Sequence, residues 1–135
     1  MKRMDPVRTI DNAFFWDAAE AERLDIQACE ACDVLWHPPR PMCPKCHSTE
    51  LSPRTMSGKG KLYSWCMPIH PPAWGFEEPP IVALIDLDEG VRIVSNLVGV
   101  DPEAISNDMP VRVDFTETAK SKVPVFTATD AGEAE

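Results

Sequence analysis

Cys29-Glu30-Ala31-Cys32 and Cys43-Pro44-Lys45-Cys46 form two matched pairs with ten residues between them. A Cys-x-x-Cys turn sets two sulfurs on one edge of a tetrahedral ion, and a hairpin of this length returns the chain to close the other edge. The spacing predicts a structural Zn²⁺ held by Cys29, Cys32, Cys43 and Cys46. Two disulfides are the rival reading, and they need an oxidising compartment. The start, Met1-Lys2-Arg3-Met4-Asp5-Pro6, leads into no apolar run of the signal-peptide kind, so reduced cysteines and a cytoplasmic location are expected. Cys43-Pro44-Lys45-Cys46-His47 also spells the covalent haem pattern, which requires export and leaves Cys29 and Cys32 without a purpose. A redox Cys-x-x-Cys belongs beside a βαβ pattern, and none is visible. The residue after each second cysteine must turn sharply and is often Gly in such knuckles. Here it is Asp33 and His47, two types that tolerate left-handed backbone. His47 could also replace a neighbouring thiolate.

Outward from the knuckles, Leu24-Asp25-Ile26-Gln27-Ala28 alternates apolar and polar and reads as the entering strand. Val34-Leu35-Trp36-His37 reads as the leaving strand, and Pro38-Pro39-Arg40-Pro41 is a stiff link. Residues 24–53 are therefore a rubredoxin-like zinc ribbon, with too few apolar side chains to fold without the ion. Residues 1–23 precede it as an extension and a helix. Asp11 is placed as the N-cap and the helix as Asn12 to Arg23. Phe15, Ala18, Ala19 and Glu22 share one side. Phe14, Phe15 and Trp16 cannot all fit one stripe at about 100° per residue, so one should point away from its own core unless the helix lies between two surfaces.

Residues 54–128 read as all β. Gly58-Lys59-Gly60-Lys61 opens a strand, Leu62 to Met67, with glycines where a curved sheet bends. Ile81 to Leu87 and Val91 to Val98 form a hairpin around Asp88-Glu89-Gly90. A helical turn at Asp101 to Ile105 precedes strands at Val111 to Thr116 and Val123 to Thr127. Five strands with a short helix before the fourth predict an OB-fold barrel, so the chain is mostly β. Residues 129–135 are a small acidic tail expected to be disordered. Between the first two barrel strands, Pro68 to Pro80 carries Trp74 and Phe76 among prolines. They form either a stiffened apolar contact surface or a plug folded back on the barrel mouth.

The 135 residues hold 13 Lys+Arg against 22 Asp+Glu, a formal charge of −9, and no stretch is long enough to span a bilayer. From Arg54 to Phe126 there are seven basic and ten acidic residues, net −3, which repels a phosphate backbone. Single-stranded nucleic acid, the usual guest of an OB fold, is therefore the second-ranked ligand, and a gel shift at physiological salt tests it. Arg54, Lys59 and Lys61 cluster where ribbon meets barrel. They are either solvated connector charges or contacts for a small phosphorylated ligand such as coenzyme A. Cys66 and His70 resemble a nucleophile and base, but four strand residues span about 13 Å, so Cys66 is expected in the core. No carboxylate pair, nucleophile elbow or phosphate loop appears, and catalysis by this chain alone is not expected.

The Phe14-Phe15-Trp16 helix, the four-cysteine ribbon, Gly58 to Trp65, the proline loop, Pro80 to Gly90 and Val125-Phe126 follow one another in order. This combination resembles the zinc-ribbon/OB-fold family formerly catalogued as a domain of unknown function. Its members occur beside thiolases, lipid-transfer-type thiolase-fold aldolases and acyl-CoA hydratases. The resemblance implies a non-catalytic subunit that docks on such a partner and helps shape its coenzyme A channel, in a hetero-oligomer with two copies of each chain. It makes Phe14, Phe15, Trp16, Trp74 and Phe76 docking candidates, and Arg54, Lys59 and Lys61 candidates for the phosphates of a coenzyme A thioester.

Overall fold

A computed structural model describes residues 3–129; the tail from 130 onward lies outside the described residues. The ribbon sheet has three strands, β1 (Asp25–Cys29), β2 (Leu35–Trp36) and β3 (Leu51–Thr55), in the order β2-β1-β3. Gln27 lies opposite Trp36, and Asp25 to Cys29 run antiparallel to Thr55 to Leu51. The strand β3 is not evident from sequence, because Leu51-Ser52-Pro53-Arg54-Thr55 has no apolar alternation and contains a proline. Its edge position tolerates the missing N–H. Although β1 alternates apolar and polar residues, all five are buried. The two polar ones are satisfied. The Thr55 hydroxyl donates to Asp25 Oδ1 at 2.6 Å, and the Arg40 N–H donates to Gln27 Oε1 at 2.7 Å.

The barrel strands are β4 (Lys59–Cys66), β5 (Ile81–Leu87), β6 (Arg92–Leu97), β7 (Pro110–Glu117) and β8 (Lys122–Ala128). They close in the order β4-β5-β6-β8-β7, with a short 3-10 turn at Pro102–Ala104 before β7. Every pairing is antiparallel except β6–β8, where one parallel bridge joins Leu97 to Phe126. Leu62, Ala83, Ile85, Ile93, Val111 and Phe126 fill the interior. The expected five-stranded cylinder is thus present. Two glycines at the start of β4 leave no room for a Cβ: at Gly60 it would lie 2.5 Å from the Asp86 carbonyl oxygen, and at Gly58, whose φ is 84°, it would run into the Val113 side chain.

Cys66 is corrected from core to surface. A bulge shifts the register between Leu62 and Ser64, and the strand beyond it, Tyr63 to Cys66, is exposed. The Arg92 guanidinium covers the Tyr63 ring at 3.6 Å and pairs with Asp86 at 2.6 Å.

The helix α1 (Ala13–Glu20) is shorter than expected at both ends. Asn12, not Asp11, is the cap residue; its Oδ1 accepts from the N–H of Thr9 at 2.7 Å, outside the helix. At the far end Glu22 takes φ 59°, the Glu22 N–H donates to the Ala19 carbonyl, and the Arg23 N–H donates to the Ala18 carbonyl. Those two bonds are a Schellman stop, which ends the helix before Arg23. Phe15, Ala18 and Ala19 are buried, and α1 packs on both β1 and β8, so it lies between ribbon and barrel. No helix among the described residues is long and apolar enough to cross a membrane.

Candidate metal centre and docking surfaces

The two knuckles form because Asp33 (φ 66°) and His47 (φ 65°) adopt the left-handed turns expected of them. The Asp33 N–H donates to the Cys29 carbonyl at 2.9 Å, and the His47 N–H to the Cys43 carbonyl at 3.0 Å. The four sulfurs of Cys29, Cys32, Cys43 and Cys46 all lie within 4.8 Å of one another, and His47 is not among them. Cys29 and Cys46 sulfurs are 3.5 Å apart, and those of Cys32 and Cys43 are 3.6 Å apart. A tetrahedral Zn²⁺ with bonds of about 2.3 Å spaces its sulfurs by about 3.8 Å, so the four thiols fit that ion.

The donor set also needs a cation. Burial pushes the Cys32 thiol up to about 12. Burial acts the same way on Cys43, but N–H groups of Cys46 and Lys45 pull that thiol down to about 6. Those two N–H groups lie 3.4 and 3.3 Å from the Cys43 sulfur. Four such groups cannot all ionise together without a divalent charge between them. The ion would supply structure, holding the ribbon closed; all four positions would be filled by protein, as in non-catalytic zinc sites.

The other candidate residues are dispersed. Arg54 lies on β3 opposite Ile26 and forms an ion pair with Asp33 of the first knuckle. Lys59 and Lys61 are exposed on β4. With Arg112, directly across from Lys59, and Asp88, they line a small cavity of about 80 Å³. Sequence reasoning missed Arg112 because strand pairing, not spacing, brings it there. Arg54 is not part of that group.

Phe15 is 6% exposed, so as a docking residue it is corrected to core. Phe14 and Trp16 are half-buried against the same core, because the helix has a surface on each side. Trp16 meets Phe15 edge-on at 4.8 Å, and His37 lies over Phe15 at 5.0 Å. Together with Asn12, Val94 and Pro124 these rings line a cleft of about 300 Å³ between helix, ribbon and barrel. Trp74 stands 67% exposed, whereas Phe76 is half-buried under the Arg3 guanidinium at 4.7 Å.

Burial lowers the His37 pKa to about 4, below the ordinary value of about 6.5. The unfolded chain therefore takes up a proton at higher pH than the folded one. Stability from this group is complete above about pH 6.5 and falls as pH drops from there to about 4, by at most about 3 kcal/mol. Urea midpoints measured across that window should fall less in His37→Phe than in the wild type. Parallel curves would show that His37 is not the titrating group.

A closed five-stranded barrel carrying a four-cysteine knuckle pair defines a zinc-ribbon/OB-fold protein. Two family models match it in tandem: "ChsH2, rubredoxin-like zinc ribbon domain" over residues 16–52, and "ChsH2, C-terminal OB-fold domain" over residues 53–116. A DUF35 domain-containing scaffold protein of Pyrococcus furiosus is 38% identical over 70% of this chain and 69% of its own length. The chain belongs to the DUF35 family.

A probable enoyl-CoA hydratase alpha subunit of Thermomonospora curvata is 45% identical over 92% of this chain. The 3-oxo-4,17-pregnadiene-20-carboxyl-CoA hydratase alpha subunit of Mycobacterium tuberculosis is 36% identical over 84%. The chain spans 39% and 36% of the length of these two relatives. Among solved structures, a chain of the Ltp2-ChsH2(DUF35) aldolase superposes with a TM-score of 0.86 at 44% identity, covering 92% of this chain and 98% of that one.

Proposed function

We infer that this chain is a non-catalytic accessory subunit of an acyl-CoA-processing complex. It docks on a thiolase-fold aldolase or thiolase, or on an acyl-CoA hydratase, and helps form the partner's channel for the coenzyme A thioester. The observation that carries this reading is the match to the aldolase chain, which covers nearly the whole of both molecules. The names of the hydratase alpha subunits point to the same chemistry. The four-thiol site supports it as well, since closed tetrahedral sites hold structure and leave no position for a substrate.

In this reading Lys59 and Lys61 contact the coenzyme A phosphates from β4, beside Arg112, and Arg54 serves the ribbon instead. Trp74, held out on the proline loop, meets the partner. The reaction itself, whether retro-aldol cleavage, condensation or hydration, belongs to the partner, and assembly as two copies of each chain follows from a dimeric partner. The test is affinity capture of the tagged chain from its own host. A thiolase-fold enzyme or acyl-CoA hydratase should be recovered in near-stoichiometric amount. Recovery of neither overturns the reading.

A further inference from the structure

The segment from Arg3 to Ile10, which forms neither helix nor strand, is tied to the protein by its polar side chains while Met4, Val7 and Ile10 stay exposed. Its polar side chains bond to the protein, with Asp5 and Arg8 still open to solvent. Arg3 donates to Asn96 Oδ1 at 2.9 Å, and its carbonyl accepts from the Ala119 N–H at 3.2 Å. Asp5 accepts from the Thr118 hydroxyl at 2.6 Å and from the Lys120 N–H at 2.8 Å. Arg8 pairs with Asp17 and with Glu20 at the helix. Every third residue is apolar and faces solvent instead: Met4 is 63% exposed, Val7 80% and Ile10 99%. A single exposed apolar side chain is unremarkable, but three in one strap whose polar side chains are all engaged is a surface made to be covered.

The strap is tied to the second exposed apolar element. Arg3 lies over Phe76, and Trp74, two residues before it, is 67% exposed. Lys120 lies beside Asp5, but the two anchoring arginines sit among more carboxylates than cations. Arg3 shares its hollow with Glu77, Glu78 and Glu117, and Arg8 faces both Asp17 and Glu20, so acidic groups outnumber each anchoring cation. The complementary surface is apolar at its centre and ringed by Lys and Arg.

We propose that Met4, Val7 and Ile10 form a docking strap that seats a folded partner subunit whose contact face is apolar with a basic rim. This rests on the reading of the chain as an accessory subunit and names the face by which it is held. The strap is pre-ordered by its polar contacts, so the partner meets a fixed surface and little ordering entropy is lost on association.

The test uses the full chain with a V7D/I10D double substitution. Both side chains are exposed in the free chain, so zinc content and circular dichroism should match the wild type. The partner captured by the wild type is identified by mass spectrometry, purified and titrated against each form. The double variant should bind it at least about tenfold more weakly. Raising ionic strength from about 0.05 to about 0.5 M should slow wild-type association severalfold.

If the wild type captures no partner, the accessory-subunit reading fails. If it captures one that the double variant binds equally well, the strap is not the interface while that reading stands. Salt-independent association removes the basic rim. A wild-type homodimer dissociated by V7D/I10D would assign the strap to a second copy of this chain and overturn the proposal.

Discussion

Cys43→Ser should leave the protein without stoichiometric zinc and with unfolded knuckles. Cys43 is fully buried, its sulfur receives two backbone N–H groups, and it lies 3.6 Å from the Cys32 sulfur. A serine hydroxyl does not ionise there and reaches less far, so three thiols would remain around a site that needs four ligands. Apart from the cysteines themselves, the ribbon's own cluster holds only Trp36, with Val34 and Leu51 partly buried against it. That is too little apolar surface to order the knuckles unaided. Structural zinc contributes about 10 kcal/mol or more to small ribbons, so the loss is a loss of fold. Metal analysis should fall from one zinc per chain to well below it, and amide protection across the two knuckles and β2 should vanish, while β1, held in the main core by Ile26, keeps part of its own. Cys66→Ser, at an exposed position, is the control and should keep its zinc. A Cys43→Ser protein with full zinc and a protected ribbon would sink the four-thiolate assignment.

Phe126→Ala should cost about 3–5 kcal/mol. The ring is fully buried in the barrel core with Leu62, Ile85 and Val111. Phe126 is also the residue that bridges β8 to β6 and accepts the Val98 N–H at 2.8 Å, so a cavity there opens at a strand junction. Domains of this size are stable by about 5–15 kcal/mol, so the variant should be partly unfolded at moderate urea where the wild type is folded. The check is the urea midpoint at constant slope. A shift worth less than about 1 kcal/mol would show that the barrel collapses around the missing ring, or that the packing is looser than described.

What the sequence made legible follows from which features are local. Knuckle spacing and the left-handed turns at Asp33 and His47 are short-range, and the four sulfurs meet as expected. Barrel strands were readable from runs such as Ile81 to Leu87, whose alternate residues face the core. The strand Leu51–Thr55 was not readable, since a partner strand rather than its own pattern creates it. The three helix aromatics exceed a single stripe, and they fit because α1 is covered on two sides, the alternative that their crowding left open. Cys66 was misplaced by a bulge that nothing in Leu62-Tyr63-Ser64 announces. The strap escaped notice because its polar side chains find their partners only once Asn96, Phe76 and Thr118 are in place beside it.

The seam between β6 and β8 sets how this cylinder breathes. Antiparallel ladders of several rungs bind every other neighbouring pair, whereas here a single parallel rung, in which the Val98 N–H donates to the Phe126 carbonyl, and one bond from the Ser95 hydroxyl to the Pro124 carbonyl at 3.0 Å close the ring. Fluctuations that split the wall will therefore start at this line and spread from it, and the amide of Val98 will be among the first in the barrel to exchange with solvent. Because α1 leans on β8, each such opening reaches the helix and the ribbon beyond it. The molecule thus has one built-in direction of give, running from its weakest join toward its metal.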